Sequence, residues 1–210
     1  MEIAASITSG DLARLADTAA AASAGGADRI HLDVEDGVFI PTFTVGPRAV
    51  AAIRRVTRLP LEVHLQTVQP ERWVALILEG RPDRVILHPE GTDDLVALLR
   101  AVSTAGAAAG LALLLRTPAE AVLPWVDRVD HLTFMATPPE GGDFDSAVLA
   151  KVALLRGKVA DLSIDGGVTA GVMSSLVASG ATVVVAGRAI FAQGLDHVAE
   201  GIAALRRGTR

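Results

Sequence analysis

The sequence predicts a (β/α)8 barrel, and three observations predict it. Eight short apolar runs alternate with eight longer segments of helical periodicity, and the alternation continues to the end of the chain. Half of the residues are hydrophobic but only 3% are aromatic, so the core is built from Val, Leu, Ile and Ala. Such residues suit buried parallel strands and the helices that cover them. The length, 210 residues, fits one domain near the small end of the barrel range. A strictly repeated strand–helix order demands parallel strands with right-handed crossovers. An open doubly wound sheet is the alternative, but eight strands within a single domain spanning 1–210 fit a closed ring better.

The elements follow in order. The first strand is read at 2–7 and its helix at 10–24, closed by Gly25-Gly26. The second strand, 29–33, carries Ile30 and Leu32 and is followed by a helix at 46–56. The third unit pairs a strand at 61–65 with a helix at 70–79, ended by Gly80. In the fourth, Val85, Ile86 and Leu87 mark a strand at 84–88. Leu95, Leu98 and Leu99 give the three- and four-residue spacing of a helix at 93–105, before Gly106. The fifth strand is the apolar run 111–115 and its helix is 118–126. Strands at 131–135 and 161–165 precede helices at 146–156 and 169–178, the latter closed by Gly180. The eighth strand, 182–186, leads to a helix at 194–206 and a polar tail. The glycines after helices sit where a left-handed cap is wanted.

Composition excludes several classes of function. A net charge of -5 argues against a nucleic-acid partner. There is no cysteine, so disulfides and thiolate chemistry are excluded and any metal must use His and carboxylate ligands. The apolar runs fall far short of the ~20 residues of a membrane span. Met1-Glu2-Ile3-Ala4-Ala5 lacks a signal-peptide pattern. A cytoplasmic protein with no membrane partner is the expectation.

In a (β/α)8 barrel the active site lies at the C-terminal ends of the strands. His31 and Asp33 end strand 2, His64 ends strand 3 and Asp165 ends strand 7. His31 and Asp33 are two apart and point to the same side. Two imidazoles and two carboxylates converging from three strands make a divalent-metal site. A single strand-end histidine serves equally as a hydrogen-bonded structural residue, and the pattern alone leaves both readings open. Gly166-Gly167 after strand 7 and Gly187-Arg188 after strand 8 stand where such barrels bind phosphate, with Gly141-Gly142 after strand 6 adding exposed N–H groups. Tight turns alone would also account for these glycines.

At these residues the sequence resembles the ribulose-phosphate 3-epimerase family, from Ile3 to Phe191. The resemblance rests on Ala4-Ala5-Ser6-Ile7, on His31-Leu32-Asp33-Val34-Glu35-Asp36-Gly37-Val38-Phe39-Ile40-Pro41, and on Leu61-Glu62-Val63-His64-Leu65. Ile164-Asp165-Gly166-Gly167-Val168 and Val185-Ala186-Gly187-Arg188-Ala189-Ile190-Phe191 complete it. It implies a TIM barrel of the ribulose-phosphate-binding type. It also implies one divalent metal ion, zinc first and iron, manganese or cobalt as alternatives, held by His31, Asp33, His64 and Asp165. Asp33 and Asp165 match the family's acid/base pair. Ser6, His64 and Met135 match substrate contacts, and Gly141, Gly142, Gly166, Gly167, Gly187 and Arg188 lie in phosphate-binding loops. The implied partner is a small phosphorylated sugar, and the implied assembly a homo-oligomer, to which exposed Phe39 and Phe43 would contribute. The implied activity is metal-dependent 3-epimerisation of a ketose phosphate in carbohydrate metabolism.

The sequence departs from the family pattern around the pocket. Glu35 and Gln66 stand where methionines are usual, and Arg116 where strand 5 usually ends in asparagine. The loop after strand 6 reads Ala136-Thr137-Pro138-Pro139-Glu140-Gly141-Gly142-Asp143, and Arg188 replaces a small polar residue. The arginines would suit a phosphate or carboxylate; alternatively Glu35 pairs with Arg116. A non-catalytic phosphosugar-binding relative is one competing reading. A lyase of the same superfamily is another, demoted because Lys151 and Lys158 lie away from strand ends.

Overall fold

The eight apolar runs become eight parallel strands that close on themselves in sequence order. A computed structural model describes residues 1–209. The strands are β1 Glu2–Ser6, β2 Arg29–Glu35, β3 Leu61–Gln66, β4 Arg84–Leu87, β5 Ala108–Leu113, β6 His131–Met135, β7 Asp161–Asp165 and β8 Val183–Ala186. β8 returns to β1, with Glu2 opposite Val183. The α-helices are α1 Leu15–Ala24, α2 Pro47–Val56, α3 Val74–Glu79, α4 Leu95–Thr104, α5 Val148–Leu155, α6 Met173–Ser179, α7 Arg188–Phe191 and α8 Val198–Arg207.

Strand alternation builds two different interiors. Ile30, Leu32 and Val34 of β2, Val63 and Leu65 of β3 and Leu162 and Ile164 of β7 join one apolar cluster with helix residues such as Val50, Ile53, Leu98 and Leu176. The residues between them face the barrel axis and are largely polar: His31, Asp33, Glu62, His64, His131, Thr133 and Ser163 are all buried. Near β1 and β8 the inner face is apolar, where Ala4, Val183 and Val185 pack together. The barrel floor is ionic. Arg29 Nη1 lies 2.7 Å and Arg84 Nη2 3.0 Å from Asp161 Oδ2, and Arg84 Nη1 lies 3.3 Å from Glu62 Oε2.

Four readings are corrected. The fifth strand begins at Ala108 rather than 111, because its register is set by Arg84 and Val85 of β4 pairing with Ala108 and Ala109. Leu114 and Leu115 fall in the turn beyond it. The segment read as a helix at 118–126 is a run of 3₁₀ turns over Ala119–Arg128; Pro124 within it has no N–H to donate to an α-helical ladder. Gly26, Gly106 and Gly180 have the expected positive φ, but Gly25 and Gly80 are right-handed. Gly80 answers to crowding instead: a β-carbon there would lie 2.6 Å from Val50 Cγ1. The helix read at 10–24 becomes α-helical only at Leu15, after 3₁₀ turns at Ile7–Ser9 and Leu12–Arg14. The short α7 after β8 had no counterpart in the periodicity. Among the described residues no helix is long and apolar enough to cross a membrane.

Candidate metal centre and active site

Register gathers the reactive residues. Asp33 pairs with His64 across β2 and β3, Ser6 pairs with His31 across β1 and β2, and Met135 pairs with Asp165 across β6 and β7. Neighbouring strands lie about 4.8 Å apart, so these partners stand shoulder to shoulder at one level. His31, Asp33, His64 and Asp165 each offer one ligand atom, and the four atoms lie within 4.8 Å of one another.

The ring nitrogens show which atoms face inward. His31 Nδ1 is 2.9 Å from Glu62 Oε1, leaving Nε2 3.1 Å from Asp33 Oδ1 and 3.7 Å from Asp165 Oδ2. His64 uses the other nitrogen: Nδ1 lies 3.3 Å from both Asp33 Oδ1 and Asp165 Oδ2, while Nε2 lies 2.9 Å from His88 Nε2. Asp33 is further held by the hydroxyls of Ser6 and Thr8, which donate to Oδ2 at 2.7 and 2.9 Å, and by Gln66 Nε2, which donates to Oδ1 at 3.0 Å. Two imidazole nitrogens and two carboxylate oxygens, buried and backed by further hydrogen bonds, are a donor set that fits a divalent cation.

Electrostatics follow from this packing. Burial opposes the charged form of His31, but Asp33 and Glu62 outweigh it and raise its pKa well above the usual value. His64 is raised in the same way, with Asp165 and Asp33 overcoming burial. Burial would push Asp33 up; His31 and His64 instead hold it well below the usual carboxylate range. Glu62 is depressed to about 2, with burial opposing and His31, His131 and Arg84 prevailing. Burial lowers His88 to about 4 despite Glu90, so its ring is neutral near pH 7. Burial, then Asp33, raises Glu35 to about 7.

Above the cluster lies a cavity of about 730 Å³. Ser6, Asp33, Met135 and Asp165 line it, as do Gly141, Gly142, Gly166, Gly167, Gly187 and Arg188. His31 and His64 are fully buried beneath its wall. Several of the glycines are sterically required, Gly166 among them, where at φ +102° a β-carbon would lie 2.6 Å from Thr137 Oγ1. A β-carbon on Gly187 would lie 2.0 Å from Ser9 Oγ, and one on Gly167, at φ +65°, would lie 2.5 Å from Phe144 N. Arg188 Nη2 donates to Gly142 O at 2.8 Å, tying the loop after β8 to the loop after β6.

Other sequence readings come out differently. Glu35 lines the cavity, but Arg116 is exposed and forms no ion pair with it among the described residues. Phe39 is half-buried and packs on His88 with ring centroids 4.8 Å apart, whereas Phe43 is exposed. Lys151 is tethered to the carbonyls of Leu114, Leu115 and Thr117, outside the cavity. His131 belongs to the floor and His197 to the surface. Thr8 and Glu62 support the cluster without having been singled out for it, and His88, at the end of the fourth strand read from the sequence, supports it by meeting His64. Only the inward alternation of Glu62, His64 and Gln66 signalled Glu62.

Fold and site together define a (β/α)8 barrel with a candidate metal centre, built from imidazoles and carboxylates of β2, β3 and β7 with glycine-rich loops beside them. A profile of the family "Ribulose-phosphate 3 epimerase family" matches residues 2–191. The "Ribulose-phosphate 3-epimerase" of Mycobacterium tuberculosis H37Rv is 38% identical over 98% of this chain and 91% of its own. That of Bacillus subtilis strain 168 is 33% identical over 92% and 93%, respectively. The chloroplastic "Ribulose-5-phosphate-3-epimerase" of Arabidopsis thaliana is 35% identical over 98% and 76%. The chain therefore belongs to the ribulose-phosphate 3-epimerase family. Among solved structures, a 3-hexulose-6-phosphate synthase superposes over the whole of both chains with a TM-score of 0.74 at 17% identity. Phosphoribosyl anthranilate isomerase from Thermus thermophilus covers 98% of this chain with a TM-score of 0.71 at 19% identity. Both similarities concern the fold.

Proposed function

We propose that the protein interconverts epimers at C3 of a ketose phosphate, D-ribulose 5-phosphate and D-xylulose 5-phosphate or a related phosphoketose, with Asp33 and Asp165 moving the proton. The observation that carries this reading is the cluster itself: four ligand atoms within 4.8 Å, with both aspartates on the cavity wall. His31, Asp33, His64 and Asp165 would hold one divalent cation, zinc or else iron, manganese or cobalt. When bound, such a cation supplies Lewis-acid charge that stabilises an enediolate by several kcal/mol.

The protein's own groups do the rest. Epimerisation removes a proton from one face of a carbon beside a carbonyl and returns one to the other face, so a single base tends to restore the starting isomer. Two carboxylates from β2 and β7 answer that requirement. Asp33, held as the anion by its imidazole neighbours, suits the base in one direction, and Asp165 suits the acid, with the roles exchanged in reverse. Gly142, Gly166, Gly167, Gly187 and the first turn of α7 offer backbone N–H groups to a phosphate, while the Gly141 N–H closes its own turn on Pro138 O at 2.9 Å. Arg188 adds a guanidinium beside them. Ser6 and Met135 border the sugar. Glu35 and Gln66 make the wall beyond β2 and β3 polar, which favours a phosphoketose more hydroxylated or more basic at that end than an apolar wall would take.

The test uses protein loaded with zinc or manganese, given D-ribulose 5-phosphate in D₂O. Appearance of D-xylulose 5-phosphate carrying deuterium at C3 is expected, and Asp165→Asn abolishes it. Epimerisation at the wild-type rate in that variant rules out the two-aspartate scheme. No turnover with any pentulose phosphate counts against the substrate.

A further inference from the structure

His64 meets Asp33 and Asp165 through Nδ1, which leaves Nε2 pointing away from them. There it meets the Nε2 of His88 at 2.9 Å, with the two rings nearly parallel and their centroids 5.0 Å apart. Both rings are buried. Two imidazole nitrogens at that distance share one proton, carried by one ring and accepted by the other. His88 Nδ1 in turn lies 3.4 Å from Glu90 Oε2. The other Glu90 oxygen is committed elsewhere: Oε1 accepts from the Leu114 N–H at 2.9 Å and from the Thr117 hydroxyl at 2.6 Å.

With both rings neutral, as a ligand histidine must be, proton bookkeeping along this chain has two solutions. In the first, His88 donates from Nε2 to His64. His88 Nδ1 then shows a lone pair to the Glu90 carboxylate, and His64 must carry its proton on Nδ1, where a cation would sit. In the second, His88 donates from Nδ1 to Glu90 and accepts at Nε2 from His64, whose Nδ1 then carries a lone pair facing Asp33 and Asp165, with Gln66 Nε2 at a long 3.4 Å. Only the second satisfies the carboxylate and presents a ligand atom. We propose that His88 and Glu90 are positioning residues that fix His64 in the tautomer whose Nδ1 can bind a divalent cation. This rests on the cation reading above. Phe39 packs on the His88 ring from the β2–α2 connection, and the Leu114 and Thr117 contacts anchor Glu90 to the turn after β5. The orientation of one ligand thus depends on two loops that contribute no ligand.

The test measures zinc dissociation constants by chelator competition for wild-type protein, Glu90→Gln, His88→Phe and the double variant, with the melting temperature of each in EDTA. Zinc binding 10–100-fold weaker in each single variant is expected, the loss typical of removing a partner behind a metal ligand. The double variant should lose little more than His88→Phe, because the two residues act in series. In the zinc-loaded wild type, ring-nitrogen NMR should show His64 protonated at Nε2 and His88 at Nδ1. Wild-type zinc affinity in both single variants, or loss of EDTA-state melting temperature with zinc affinity unchanged, overturns the proposal. Wild-type protein that takes up no zinc overturns the cation reading itself, so the two failures are distinguishable.

Discussion

Glu62 belongs at once to the cluster and to the barrel floor. One oxygen accepts from His31 Nδ1 and the other meets Arg84, so its charge is used on both sides of a fully enclosed position. Breaking a buried ionic network from one side leaves the remaining charges uncompensated and costs about 3–5 kcal/mol. Glu62→Gln keeps the shape and removes the charge. It should lower unfolding free energy by about that amount in urea and weaken zinc binding roughly 10–100-fold, because His31 exchanges an anionic acceptor for a neutral amide oxygen. Stability and zinc affinity both at wild-type level would show that the contact does neither. The four residues of the cluster were legible in the sequence because strand ends in a barrel share one level, so polar residues there announce themselves. Glu62 was signalled only by its alternation with His64 and Gln66, since it lies near the start of β3 away from the strand's C-terminal end, and Thr8 was not signalled, because it lies past the end of β1 in a 3₁₀ turn.

Elements were legible where side-chain preference and register agree. β6 and β7 fall where the apolar runs place them, at His131–Met135 and Asp161–Asp165. β5 does not, because Ala108, Ala109 and Gly110 have little intrinsic strand preference; pairing with β4 draws them into the ladder against it. The Ala119–Arg128 segment has helical spacing but also Pro124, and the proline decides the winding. Loops follow the same logic at the β7 tip. Gly167 combines a positive φ with backbone contact from Phe144, so Gly167→Ala is both strained and overpacked. Its expected cost is about 1–3 kcal/mol, with a displaced loop and weakened inorganic phosphate binding. Unchanged urea stability together with unchanged phosphate binding would mean that the turn does not need its glycine.

At the scale of the whole molecule, the barrel carries two polar layers inside an apolar jacket, and the lower one sets a dependence on pH. The floor joins Arg29, Arg84, Glu62, Asp161 and His131, and depresses both carboxylates below their usual range. A carboxyl group whose folded pKa is depressed contributes stability that is present above its unfolded value and lost as pH falls through the folded one. For Glu62 that window runs from 4.5 down to about 2. Stability should therefore fall steeply through it, and the gap between wild type and Glu62→Gln should close there. Circular dichroism during acid titration checks this; a flat profile between pH 4.5 and 2 would contradict it.

The upper layer carries the central claim, that two imidazoles and two aspartates surround a single divalent cation beneath the cavity. Anomalous diffraction from crystals grown with zinc tests it most directly. The account predicts one peak about 2.0–2.2 Å from His31 Nε2, His64 Nδ1 and a carboxylate oxygen of Asp33 and of Asp165. A peak elsewhere, or none at saturating zinc, would contradict it.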